Sequence, residues 1–188
     1  MSTENALILI DVQKAFEHPK WGTRNNPQAE EQMRKILESC RQKAWEIIHI
    51  QHHSHSIDSL FYEYGEGFKI KSIVAPIEGE KRITKQVNSA FIGTDLHDYL
   101  QEKEIQTIVI VGLTTPHCVS TTTRMSGNLG YQTYLISDAT AAFTLQDHHG
   151  KKLDPELIHD ISLATLHDEF ATVLNTKDFL QDLAENKL

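Results

Sequence analysis

The sequence predicts an α/β fold, a three-layer α/β/α sandwich on a mostly parallel central sheet. Three observations carry this. The runs ALILI at 6–10, WEIIHI at 45–50 and TIVIV at 107–111 are nearly continuous in apolar residues, as suits strands covered on both faces. Helical patterns stand between them, the clearest being Met33, Ile36, Leu37, Cys40 and Ala44. Strand and helix alternate at roughly 30–40-residue spacing, as βαβ units require. A chain of 188 residues is expected to form a single domain, 1–188, with its own core.

In chain order, Ala6–Ile10 reads as a central strand ending in Asp11. His18–Asn26, with Pro19, Gly22 and two asparagines, reads as a loop. Pro27 opens a helix to about Ala44, and Trp45–Ile50 is the second strand. Residues 51–72 form a long connection of the kind that walls a binding site, with Phe61, Tyr62, Tyr64 and Phe68 available for a pocket. The alternative is that these rings merely pin the loop down. Ile73–Ile77 reads as a short edge segment, because Pro76 cannot donate to a ladder. Gly93-Thr94-Asp95 caps a helix through Leu96, Tyr99 and Leu100. After the strand from Thr107, Thr115 is placed as N-cap and Pro116 as first residue of a helix to Leu129, with Gly130 as its stop. Tyr131–Ile136 is a further strand, and 140–152 a loop. Asp154-Pro155 starts a helix with the stripe Leu157, Ile158, Ile161 and Leu166. Phe170–Leu174 is a last short strand, and Thr176 caps the final helix.

Composition narrows the function classes. The net charge of -8 and the absence of a Lys/Arg-rich run argue against nucleic acid. No apolar run approaches the roughly 20 residues needed to span a bilayer. The N-terminus lacks the basic and apolar regions of a secretory signal, and two cysteines far apart make no disulfide framework. The expectation is a cytoplasmic protein with reduced thiols and a small-molecule substrate.

Three positions stand out by placement: Asp11 ends the first strand, Lys85 follows a Lys81–Thr84 segment, and Cys118 sits in the helical turn after the Thr107 strand. Carboxyl ends of parallel strands share one edge of a sheet, so the three can converge. A thiolate is a strong nucleophile, a nearby carboxylate can move its proton, and an ammonium stabilises both anions. A helix N-terminus is expected to lower the thiol pKa, and backbone N–H groups between Leu113 and Cys118 can receive an oxyanion. The plain alternatives are a turn acid at Asp11, a solvated lysine at Lys85 and an inert buried thiol at Cys118. Cys40 reads as a core residue.

LILIDVQKAF at 7–16, KQVNSAFIGTDL at 85–96, VGLTTPHCVSTTTRMSGNLGY at 111–131 and SDATAAF at 137–143 together resemble the isochorismatase-like cysteine hydrolase superfamily, over about residues 5 to 180. That superfamily includes nicotinamidase, N-carbamoylsarcosine, ureidoacrylate and biuret amidohydrolases, and isochorismatase. The resemblance implies a Rossmann-like sandwich, with Asp11, Lys85 and Cys118 as the catalytic set. It implies a non-proline cis peptide before Thr114, with the N–H groups of Thr114 and Cys118 as the oxyanion hole. Phe16, Phe91 and Thr115 fall where the family places pocket residues. A homodimer or homotetramer is implied as well.

The expected reaction is hydrolysis of a small amide or ureido C–N bond through a thioester. Two alternatives stay open: isochorismatase-type vinyl-ether hydrolysis, which in the family pattern does not use the cysteine, and a non-catalytic interaction domain. Nicotinamidases carry an Asp-x-His pair and a further His that bind a metal. Here that region reads Ile50-Gln51-His52-His53-Ser54-His55, and the Asp is absent. Alternating histidines on one strand can bind zinc, but with Asp58 as the nearest acid no neighbouring carboxylate or cysteine completes a set; polar packing of His52, His53 and His55 is the expectation, with no cofactor, and a metal there stays the open alternative. His52 is a candidate hydrogen-bond partner for substrate. His117 is either a substrate contact or a helix cap.

Overall fold

The structure, a computed structural model, describes residues 4–187. Six strands form one sheet: β1 (Asn5–Ile10), β2 (Glu46–His52), β3 (Lys81–Lys85), β4 (Thr107–Leu113), β5 (Gln132–Ala141) and β8 (Thr172–Leu174), in the spatial order β3-β2-β1-β4-β5-β8. Every pairing in it is parallel. Two-residue strands β6 (Leu145–Gln146) and β7 (Lys152–Leu153) make a small separate hairpin inside the expected 140–152 loop. The helices are α1 (Ala29–Gln42), α2 (Leu96–Glu102), α3 (Ser120–Asn128), α4 (Pro155–Ala164) and α5 (Thr176–Ala184).

The period-2 geometry of a strand explains the layers. Leu7 and Leu9 of β1, with Val109 and Val111 of β4, point to the face covered by α1 and α5, among Met33, Ile36, Leu37, Cys40, Phe179 and Leu183. Ala6, Ile8 and Ile10, with Ile108 and Ile110, point to the other face, among Leu96, Leu100, Val119 and Leu166. Both faces are therefore apolar and the runs show no alternation. No helix of the described residues is long and apolar enough to cross a membrane.

Four local expectations are corrected. The edge strand is Lys81–Lys85 rather than Ile73–Ile77, where a single 3-10 turn spans Ser72–Val74. In β3 only Ile83 and Lys85 are buried, so its alternating charges disguise it as a surface segment. On α4, Ile158 is buried while Leu157 and Ile161 are exposed, so the predicted four-residue stripe is not a core face. Thr115 caps nothing. The helix opens as one wide turn, Thr115–Val119, whose N-cap position is Thr114, with no side-chain cap. At α5 the cap is Asn175, which accepts from Asp178 N, and the Thr176 hydroxyl donates to Asp138.

Gly112 sits where β4 passes β1 just before the site, at φ 131. A Cβ there would lie 2.1 Å from the Ile10 carbonyl oxygen, a backbone atom that cannot step aside. Gly112→Ala is expected to lower unfolding free energy by about 2 kcal/mol or more, read by urea denaturation. Wild-type stability in that variant would show that the two strands can separate.

Candidate active site

The carboxyl ends of β1, β2, β3 and β4 meet at one edge of the sheet, where ligand sites of this architecture lie. Asp11 follows β1 with φ 50, a left-handed conformation that Asp tolerates better than most residues. His52 ends β2 and is in register with Lys85, the last residue of β3. Cys118 lies in the turn after β4. The Leu113–Thr114 peptide bond is cis.

These elements bring the three predicted residues together. Lys85 Nζ lies 2.7 Å from Asp11 Oδ2 and 3.2 Å from Cys118 Sγ, with its side chain fully buried. It is also 3.3 Å from His52 Nδ1. Asp11 Oδ1 is buried and has no hydrogen-bond partner, so one carboxylate oxygen is held by the ammonium and the other is open to accept a proton. A carboxylate oxygen of Asp11, the Cys118 sulfur and a His52 ring nitrogen lie within 4.8 Å of one another. Those three do not suit a metal ion, because the Lys85 ammonium already occupies the space between them.

Gln13 explains the register of the wall. Its side-chain oxygen accepts from His52 N, and its amide donates to the carbonyls of His52 and Phe68. One buried side chain thus ties the Asp11 turn to both ends of the long 51–68 connection.

The cavity over Cys118 has a volume of about 230 Å³. It lies below the roughly 300–1,000 Å³ of drug-sized pockets, so it fits a small molecule. Asp11, Phe16, Trp21, His52, Phe61, Asn88, Thr114, His117 and Cys118 line it. Phe16, Trp21 and Phe61 form an aromatic wall with ring centroids 5.1 to 6.3 Å apart. Burial, reinforced by Lys85, lowers the His52 pKa, and burial alone lowers that of His117, so both rings are neutral at pH 7. His117 Nδ1 shares a hydrogen bond with Thr114 Oγ1 at 2.9 Å.

Phe91 and Thr115 stand apart from this wall. Phe91 stacks on Tyr131 in the core, and the buried Thr115 hydroxyl bonds His159 Nδ1 at 2.9 Å, tying α4 to the Cys118 turn. Of the four loop aromatics, Phe61 alone reaches the cavity; Tyr64 is 81% exposed. Trp21 and Asn88 were not anticipated. Trp21 sits in a Gly- and Asn-rich loop without periodicity, and its indole N–H is fixed only by a distant carbonyl, Ala15 O. Asn88 lies inside the KQVNSAF segment and accepts a long hydrogen bond of 3.8 Å from the Cys118 thiol.

The thiol corrects a further expectation. Burial first, and then the Asp11 carboxylate, push its pKa up to about 12, against a smaller opposing pull from Lys85. The resting group is therefore a thiol rather than the thiolate expected of a helix N-terminus. An Asp11 carboxylate oxygen lies within 4.8 Å of the sulfur. In Asp11→Asn the repulsion of a thiolate is gone while Lys85 still favours one. The midpoint of iodoacetamide labelling at Cys118 is then expected to fall by more than about one pH unit, followed by mass spectrometry. Cys40, fully buried and likewise raised by burial, does not interfere. An unchanged midpoint would show that the carboxylate does not sense the sulfur.

Comparison with known proteins extends the picture. The family model described as Isochorismatase domain matches residues 5–178. The isochorismatase family protein YrdC of Bacillus subtilis is 60% identical over 182 residues, 97% of each chain. The crystal structure of a putative hydrolase of the isochorismatase family from Chromobacterium violaceum superposes with a TM-score of 0.94 at 37% identity, covering 98% of this chain and 96% of that one. More distantly, Nicotinamidase 3 of Arabidopsis thaliana is 24% identical over 194 residues, 96% of this chain and 89% of its own.

Proposed function

The chain belongs to the isochorismatase family of hydrolases, and we propose that it cleaves a small, uncharged amide or ureido C–N bond through a Cys118 thioester. The observation that carries this reading is the buried ammonium of Lys85, in contact with both Asp11 and Cys118. In the proposed reaction Asp11 takes the thiol proton as Cys118 sulfur bonds to the substrate carbonyl carbon. The N–H groups of Thr114 and Cys118 receive the oxyanion. The C–N bond breaks, the amine departs with the proton from Asp11, and a thioester remains. Water, deprotonated by Asp11, attacks that thioester, releasing the acid and restoring the thiol.

Lys85 holds one oxygen of Asp11 and offsets the thiolate as it forms. Phe16, Trp21 and Phe61 hold the acyl group, while His52, His117 and Asn88 supply hydrogen bonds. The cavity favours an uncharged substrate: none of its lining residues is Lys or Arg, and both its histidines are neutral. A dicarboxylate such as a vinyl-ether substrate of the isochorismatase type finds no unpaired cation there among the described residues. The nicotinamidase relative supports the amide reading.

Across a panel of small primary amides and ureido compounds, Cys118→Ala is expected to lose about 10³-fold or more in kcat/KM on whichever compound the wild type hydrolyses. Mass spectrometry of wild-type protein quenched during turnover is expected to show an acyl adduct on Cys118. Wild-type turnover by Cys118→Ala would eliminate the mechanism.

A further inference from the structure

Away from the catalytic centre, the 53–63 loop gathers three ligand-type side chains. His53 and His55 flank Ser54, which bridges to Tyr62, and their rings lie 5.1 Å apart at 77°. Backbone bonds from Ser54 N to Phe61 O, and from Glu63 N to Ser54 O, fold the chain back and bring Glu63 alongside. His55 Nδ1 is 2.7 Å from Glu63 Oε1, and one ligand atom from each of the three lies within 4.8 Å of the others. The acid missing from the linear neighbourhood of the histidines is thus supplied by the turn, which overturns the expectation that no carboxylate completes the set.

A second observation is independent. His53 Nδ1 is buried with no hydrogen-bond partner, an arrangement that costs about 1–3 kcal/mol for a neutral polar atom. None of the three residues lines the cavity.

We propose that His53, His55 and Glu63 bind a divalent transition-metal ion of the zinc class, which clamps the 53–63 loop. Two imidazoles and one carboxylate, with water in a fourth position, are a donor set that suits zinc. The consequence reaches the cavity through Phe61, on the same loop, whose ring packs 5.3 Å from Phe16 and 5.1 Å from His52. The inference does not depend on the reaction proposed above.

The test uses full-length protein stripped with EDTA. Titration with Zn²⁺ against a chromophoric chelator is expected to show one equivalent bound, and Co²⁺ to give the d–d absorption of a four-coordinate site. His55→Ala and Glu63→Gln, at partly or fully exposed positions, are each expected to weaken binding about tenfold or more without changing the circular dichroism spectrum. Cys118→Ala and a His148→Ala/His149→Ala double variant are expected to bind as wild type does. Hydrogen exchange of residues 53–63 is expected to slow on Zn²⁺ addition. Absence of stoichiometric binding, retention by the Glu63 and His55 variants, or loss in Cys118→Ala would overturn the site. Binding without slower exchange would overturn the clamp.

Discussion

The arrangement depends on one buried charge pair. The Lys85 ammonium, without solvent contact, is held 2.7 Å from Asp11 by strands that are not neighbours, since β2 separates β3 from β1. A buried ion pair is a poor route to stability alone, because losing hydration of both ions offsets most of their attraction. An apolar pair of similar size would serve a purely structural role as well. Placing this pair against a cysteine sulfur makes sense where negative charge must appear on that sulfur and be neutralised without water.

The surroundings follow from the need to keep the pair dry and fixed. Gln13 uses its whole side-chain amide to lock the 51–68 connection over the Asp11 turn. Gly112 lets β4 approach β1 closely enough for the Cys118 turn to face that carboxylate. The aromatic wall of Phe16, Trp21 and Phe61 borders the cavity on which Asp11 and Cys118 open. Thr115 and His159 brace the Cys118 turn through α4.

The fold class and the meeting of Asp11, Lys85 and Cys118 were legible in the sequence for the same reason. Strands buried on both faces print continuous apolar runs, and residues just after such runs share one sheet edge. β3 was hidden because an edge strand needs only Ile83 and Lys85 inside, so Lys81-Arg82 reads as surface. The α4 stripe misled because helical spacing reports which residues share a face, not whether anything covers it. Trp21 and Asn88 were missed because loops carry no period, and Glu63 because its approach to His53 and His55 is set by a turn rather than by separation along the chain.

The raised thiol pKa, which ran against expectation, fits the proposed chemistry better than a ready thiolate would. A permanent thiolate beside Asp11 would put two anions against one ammonium in a dry cavity, and it would be the form most open to oxidation. With the proton kept on sulfur at rest, the site is neutral overall, Lys85 balancing Asp11. Charge separation is then deferred to the moment when the substrate carbonyl and the oxyanion donors can accept it. Stabilisation confined to that moment lowers the barrier rather than deepening the ground state. On this view, burial of Cys118 works toward catalysis as long as a carboxylate within 4.8 Å of the sulfur keeps one oxygen free of other partners, as Asp11 does.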